Sequence, residues 1–319
     1  RKIMIYNFLG STGIKVSKVC YVSLALGTMQ GDLSVSEGSE LICSAYDLGV
    51  NFIDTAQSYG TYRYIRESLK RIDRSKFVIF TKTYAYTRAQ AEEALKEALA
   101  ETGTDYIDGF MLHEQESEHT LRGHFEASEY FLEMKEKGYI RAFGISTHNV
   151  AGVKGAVKSG YVDVIHPLFN KASLGIGDGD SNLMYEAIID AKSRGIGVYS
   201  MKPLGGGNLI DSYEEAMKYV IEKEYIDSVA VGMQSKEEIF ANVQMFERGY
   251  IDSSLKQKLK SVNRKLIISD WCIGCGKCAQ RCQYKAISLI EGKAVVDHEK
   301  CILCTYCAKE CADFCIKVI

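Results

Sequence analysis

An α/β fold is predicted: a closed barrel of eight parallel strands with crossover helices, followed by a small α+β module. Three features of the 319-residue sequence predict it. Short apolar runs alternate with segments of helical period, the pattern of a parallel sheet crossed by helices. Three of those runs, NFID, FVIFTK and YIDGFMLH, end in an ionisable side chain, respectively Asp54, Lys82 and His113. A (β/α)8 TIM barrel builds its site in this way, from C-terminal strand ends. Finally, nine of the eleven cysteines lie between Cys272 and Cys315, so the barrel is expected over residues 1–264 and the second module over 265–319.

Taken in order, the elements support this reading. LGSTGIKVS holds a turn between two extended pieces and reads as a β-hairpin. A first strand is expected near Ser23 to Leu26, with Gly27, Thr28 and Met29 at its exit. SEGSELICSAYDLG has helical periodicity, with Ser36 as N-cap and Gly49 just past the end, and RAQAEEALKEALAETG repeats the pattern, closed by Gly103. Strands are expected near 51–54, 77–82, 106–113, 140–145, 162–165, 196–201 and 228–231, which with the first makes the eight that close a barrel. Residues 252–266 read as a polar helix leading to the second module. No Pro- or Ser-rich linker separates the two, so they should be packed together.

Composition narrows the function classes. A formal net charge of -2 and 46% hydrophobic residues suit an ordinary globular protein and predict neither a nucleic-acid nor a membrane partner. The apolar runs are strand-sized, and no signal peptide opens the chain. Cysteines clustered in short repeated spacings read as metal ligation in a reducing, cytoplasmic compartment rather than as a secreted disulfide framework.

The string D-T-A-x-x-Y-G from Asp54 to Gly60, with Lys82 and His113 following in order, resembles the aldo-keto reductase superfamily, as does the opening LGSTGIKVS. Taken singly, each residue is an ordinary strand-end polar group; the four in this order carry the resemblance. It implies a catalytic set of Asp54, Tyr59, Lys82 and His113 acting on a small carbonyl or alcohol. A tyrosine is a poor acid at its usual pKa of about 10, and a nearby ammonium favours loss of its proton. In this reading Lys82 assists Tyr59, Asp54 holds Lys82, and His113 orients the substrate oxygen.

The same resemblance implies NAD(P)H bound by barrel loops. Thr28 and Met29 stand at the first strand's exit. Ser146 and Thr147 align with contacts to the carboxamide, as does His166, where relatives usually carry glutamine. Tyr199 matches the ring that stacks on the nicotinamide, core packing being the alternative. Ser235 and Asn242 fall in the adenosine loop. Gln234 and Glu238 stand where relatives selective for a 2'-phosphate place a cation, favouring NADH, with Lys236 as the opposing charge. Gly205, Gly206 and Gly207 could admit a pyrophosphate or form a flexible loop.

Cys272, Cys275, Cys278 and Cys282 form C-x2-C-x2-C-x3-C, and Cys301, Cys304, Cys307 and Cys311 repeat it. This is the spacing of bacterial two-cluster ferredoxins, where each fourth cysteine serves the other cluster. One [4Fe-4S] cluster would then use Cys272, Cys275, Cys278 and Cys311, and the second Cys301, Cys304, Cys307 and Cys282. Zinc also takes four thiolates, but two matched runs of four favour iron-sulfur. Gln283 and Ala312 replace the proline that follows the fourth cysteine in the ferredoxin pattern. Cys315, Cys20 and Cys43 read as small core residues, Trp271 as a cluster shield or core residue, and AISLIEGKAVVD as a hairpin turning at Glu291 and Gly292.

Nicotinamide delivers two electrons as hydride, whereas each cluster passes one. A direct relay would need a flavin or another splitter, and no flavin motif is visible. Three functions are compatible: a carbonyl reductase with structural or regulatory clusters, a barrel wired through its clusters to a ferredoxin or flavoprotein, and an electron carrier with a retired barrel. Retention of all four catalytic residues disfavours the third.

Overall fold

The computed structural model describes residues 4–319; the first three residues of the expected 1–264 segment lie outside it. A hairpin of β1 (Tyr6–Phe8) and β2 (Lys15–Ser17), paired antiparallel through Asn7 and Val16, opens the chain. Eight parallel strands then close a barrel: β3 (Val19–Val22), β4 (Phe52–Asp54), β5 (Val78–Thr83), β6 (Ile107–Leu112), β7 (Ile140–Thr147), β8 (Val164–Pro167), β9 (Gly197–Met201) and β10 (Ser228–Gly232). Each pairs with its sequence neighbour, and β10 returns to β3.

The pleat sorts side chains into two cores. Cys20, Phe52, Val78, Phe80, Met111, Ala142, Val164, Tyr199 and Ala230 fill the barrel, and Leu9, Ile14 and Val16 join them from the hairpin side. The intervening residues, among them Ile53, Ile79, Phe110 and Leu112, meet the surrounding helices. Asp54, Lys82 and His113 each lie two residues beyond an inward residue, Phe52, Phe80 and Met111. The same alternation therefore aims all three into the barrel mouth.

Two expected boundaries differ. The first strand is Val19–Val22, and Ser23–Leu26 is a 3-10 turn. The Val-Cys-Tyr-Val run has the β-branched and aromatic character that both neighbouring strands require, and Tyr21 pairs with Ile53 while Val229 pairs with Val19. Ser34, not Ser36, caps helix Val35–Asp47: its hydroxyl accepts from the Glu37 amide while the Glu37 carboxylate accepts from the Ser34 amide. Ser36 stands inside the first turn, too late to cap. The polar segment after the barrel forms helix Ser253–Lys260.

The second module has two small antiparallel sheets. β11 (Leu266–Ile268) pairs with the C-terminal β14 (Ile316–Val318), and β12 (Ile287–Ile290) pairs with β13 (Lys293–Val296). The turn between β12 and β13 has φ of 49° at Glu291 and 76° at Gly292, as a two-residue hairpin requires. That turn sits on the first cysteine loop, where a Cβ on Gly274 would lie 1.9 Å from the Gly292 carbonyl oxygen.

Docking of the module uses the glycine run after β9. Val318 donates its amide to the Gly206 carbonyl at 2.9 Å, and Asn208 donates its side-chain amide to the Ile316 carbonyl at 2.9 Å. A Cβ on Gly207 would meet the Val318 carbonyl oxygen at 1.9 Å, so glycine there permits backbone-to-backbone contact. Phe314 inserts among Leu168, Leu174 and Met201 at the ends of β8 and β9. No helix among the described residues is long and apolar enough to cross a membrane.

Candidate active site

Lys82 is almost wholly buried, and its ammonium donates to both Asp54 oxygens at 2.8 and 2.7 Å and to the Thr55 carbonyl at 2.8 Å. Asp54 also accepts from the Tyr199 hydroxyl at 2.8 Å. A buried charge persists only when so partnered. The Lys82 ammonium lies 5.1 Å from the centre of the Tyr59 ring, and His113 meets that ring edge-on at 5.8 Å. Tyr84 stacks on His113 at 4.5 Å and donates its hydroxyl to Glu114 at 2.7 Å. Nδ1 of His113 is buried with no hydrogen-bond partner.

Burial and neighbouring charges shift the titrating groups. Burial, reinforced by the carboxylates of Asp54 and Glu114, pushes the Tyr59 phenol well above its usual range. The Lys82 ammonium, bonded to Asp54, stands beside the ring. Burial, followed by the charges of Lys82 and Lys202, holds His113 well below the usual imidazole range. His166 falls to about 4, chiefly through burial. Its Nδ1–H donates to the Tyr199 carbonyl at 2.6 Å, leaving Nε2 as an acceptor 3.8 Å from Asp54.

These groups open onto a cavity of about 1350 Å³ lined by Asp54, Tyr59, Lys82, His113, His166 and Met29 at one end and reaching Asn242 and Glu238. The remaining expected contacts are not on its lining. Thr28 points to solvent. Ser146 accepts the Glu114 amide at 2.8 Å, Thr147 accepts the Asn149 amide at 2.9 Å, and both are buried. Ser235 caps helix Lys236–Arg248.

Tyr199 is fully buried, with one ring face covered by His166 at 3.9 Å. It therefore offers no stacking surface to a nicotinamide. The cause is the pleat: Tyr199 belongs to the inward layer beneath Asp54, and the next inward residue of β9, Met201, lines the cavity instead. The glycine run 205–207 carries β14, the Gly206 carbonyl accepting from Val318 while the Val318 carbonyl oxygen packs against Gly207, so it is not a loose loop.

Sequence reasoning missed Lys202, His148, Glu114 and Phe314, all on the cavity wall. Lys202 and Glu114 hold left-handed φ of 58° and 51°, a conformation that costs a non-glycine residue about 1–2 kcal/mol. Burial draws the Lys202 amine down to about 8, and Lys202 Nζ lies 3.1 Å from His148 Nε2. The available signal was position: Lys202 immediately follows β9, and His148 immediately follows β7.

At the far end Arg264 stands 3.7 Å from Glu238 and Lys256 2.9 Å from Glu214. Lys236 pairs with Glu40 on the exterior at 3.3 Å.

In the second module the short helices 277–281 and 306–310 face one another, bringing Cys278 and Cys307 into a common core. Burial raises the Cys278 thiol, and Cys311, Cys272 and Cys275 add to the effect, in that order. Burial likewise raises Cys307 to about 12, with Cys304, Cys278 and Cys301 contributing. Backbone amides point at Cys282 and Cys311 sulfur from Ala286 and Cys315, at 3.3 and 3.2 Å. This matched pair relates the two halves and leaves Cys315 as the buried counterpart of Ala286. Cys20 and Cys43 are buried as well, while Trp271 is half exposed and donates to the Asp313 carbonyl at 3.2 Å.

Comparison with known proteins follows these two regions. The model of the Aldo/keto reductase family matches residues 23–217, and that of the 4Fe-4S binding domain matches 266–288. L-galactose dehydrogenase from Arabidopsis thaliana is 25% identical over 279 residues, covering 74% of this chain and 86% of its own. An aldo-keto reductase from Mycolicibacterium paratuberculosis is 27% identical over 247 residues, covering 70% and 80%. Among solved structures, the holo form of an aldo-keto reductase from Bacillus halodurans superimposes with a TM-score of 0.66 at 22% identity, over 81% of this chain and 95% of its own. That likeness establishes the barrel, while the family match spans more than half of the sequence. The chain thus belongs to the aldo/keto reductase family of oxidoreductases and carries a C-terminal 4Fe-4S binding domain.

Proposed function

We propose that the barrel reduces a small aldehyde or ketone to an alcohol using a reduced nicotinamide dinucleotide. The supporting observation is the Asp54–Lys82 pair at the floor of the cavity, with Tyr59 and His113 beside it. When bound, the dinucleotide supplies a hydride to the carbonyl carbon. Tyr59 supplies the proton: its raised pKa keeps the phenol protonated until the oxygen acquires charge. The ammonium beside the ring stabilises the tyrosinate that results. His113, neutral, donates a hydrogen bond to the same oxygen and sets its position.

The dinucleotide fits this chain in part. His166 Nε2 and Met201 are available at the nicotinamide end, and Asn242 faces the far end of the cavity. Glu238 there opposes a 2'-phosphate and favours NADH, although Arg264, Lys256 and Lys260 also reach the lining. For the second module we propose two [4Fe-4S] clusters, held by Cys272, Cys275, Cys278 and Cys311 and by Cys301, Cys304, Cys307 and Cys282. Two matched C-x2-C-x2-C-x3-C runs and the match to a 4Fe-4S binding domain support iron-sulfur over zinc.

A second reading, in which the clusters exchange electrons with the barrel site and an external ferredoxin or flavoprotein, draws support from Leu303, Asp313 and Phe314 lining the same cavity. Anaerobic assays with NADH or NADPH and a panel of aldehydes, with no one-electron donor present, test the first reading. Turnover is expected, and Tyr59→Phe should lower it by about 10²-fold or more with cluster absorbance intact. Wild-type rates in that variant, or dependence on an added one-electron donor, would overturn the assignment.

A further inference from the structure

The inner end of the cavity holds two lysines that the catalytic set does not use. Lys202 Nζ lies 4.8 Å over the Phe314 ring and 3.1 Å from His148. Lys317 also approaches that ring and donates to the Phe314 carbonyl. Both line the cavity. Among the described residues neither forms an ion pair; the carboxylate acting on Lys202 is Glu114, which is bonded to Tyr84 and lies 3.9 Å from His148. Lys82 already has Asp54. Two amines thus face one shared carboxylate, in surroundings where an unpaired ammonium is costly. The left-handed backbone of Lys202 adds to this picture, because strain of that kind persists where its surroundings enforce it and clusters at ligand sites.

We propose that Lys202 and Lys317 form an anion subsite for a substrate carboxylate, making the preferred substrates aldehydes or ketones that carry a carboxylate a few atoms from the carbonyl. The proposal rests on the carbonyl-reductase reading. Tyr59, His113 and Lys202 line the same cavity, so one molecule can place its carbonyl at Tyr59 and its carboxylate at Lys202. A dinucleotide pyrophosphate has the same chemistry, but the Val318 carbonyl oxygen packs against Gly207 in the adjacent glycine run and would repel a phosphate there. This favours a substrate carboxylate, and the test separates the two sources.

The test compares 4-oxobutanoate with butanal, aldehydes of equal length with and without a carboxylate, in the cluster-loaded full chain and its Lys202→Met and Lys202→Arg variants. The expected result is a preference for 4-oxobutanoate in kcat/KM that falls at least tenfold in Lys202→Met, through KM, and returns in Lys202→Arg. Calorimetric titration with butanoate provides a readout independent of turnover: binding lost in Lys202→Met and kept in Lys202→Arg supports the subsite even if neither aldehyde reacts, an outcome that would defeat only the catalytic reading. Equal losses on both aldehydes, or butanoate binding unchanged by Lys202→Met, would overturn the proposal. So would weakened NADH binding without a change in aldehyde preference, which would assign the lysine to the pyrophosphate.

Discussion

Asp54 and Lys82 are each 1% exposed and bonded to one another. Removing one member of such a pair strands the other. Lys82→Met should therefore destabilise the protein by about 3–5 kcal/mol, seen as a lowered denaturation midpoint, while Lys82→Met combined with Asp54→Asn should recover much of that stability without recovering activity. A double variant no more stable than the single one would show that the pair does not govern this part of the barrel.

The pH profile follows from the same surroundings. His113 and His166 are already neutral at physiological pH, and Tyr59 stays protonated to above its usual range. Reduction of an uncharged aldehyde should thus be flat in kcat from about pH 6 to 9, because no catalytic group titrates between the unperturbed His and Tyr values. A clear inflection near pH 7 would contradict these assignments. Folding also suffers at acid pH: the unfolded chain, with ordinary imidazoles, binds more protons below about pH 6.5, so stability falls as the pH drops through that region.

Strands decide which sequence expectations survive. Segments ending in Asp54, Lys82 and His113 were legible because apolar period-2 runs and terminal charges coincide. Tyr199 was misleading because the family pattern supplies an aromatic without its layer: only the registered barrel puts that ring under Asp54 and raises Met201 to the rim. The first strand was misplaced because Ser23–Leu26 is as apolar as the strand before it, and pairing with β4 and β10 settles the choice. In the second module, spacing alone supplied the cysteine sets. Cys311→Ala should lose one cluster's iron and visible absorbance, whereas Cys315→Ala should keep both, measured by iron content after anaerobic purification. Equal loss in the two variants would contradict the assignment of Cys311 as a ligand and Cys315 as a core residue.

At the scale of the whole molecule, the cavity is built by both modules. Barrel strand ends provide the floor that carries the proposed catalytic set, while Phe314 and Lys317 of the second module form part of the wall. The sequence offered two modules and their packing, but not this shared wall, because the contact depends on glycine backbone at 206–207 meeting β14. Lys202 has barrel neighbours in His148 and Glu114 and gains the Phe314 ring from that contact.

Direct hydride transfer in this composite cavity is the central claim. It is tested most directly by incubating the anaerobic protein with an aldehyde and nicotinamide dinucleotide deuterated at the transferable C4 position, then locating the label in the alcohol. Deuterium on the carbinol carbon is the predicted result, because the hydride passes from carbon to carbon and only the hydroxyl proton comes through Tyr59. Hydrogen from solvent on that carbon would contradict the account and direct attention to electrons arriving through the clusters.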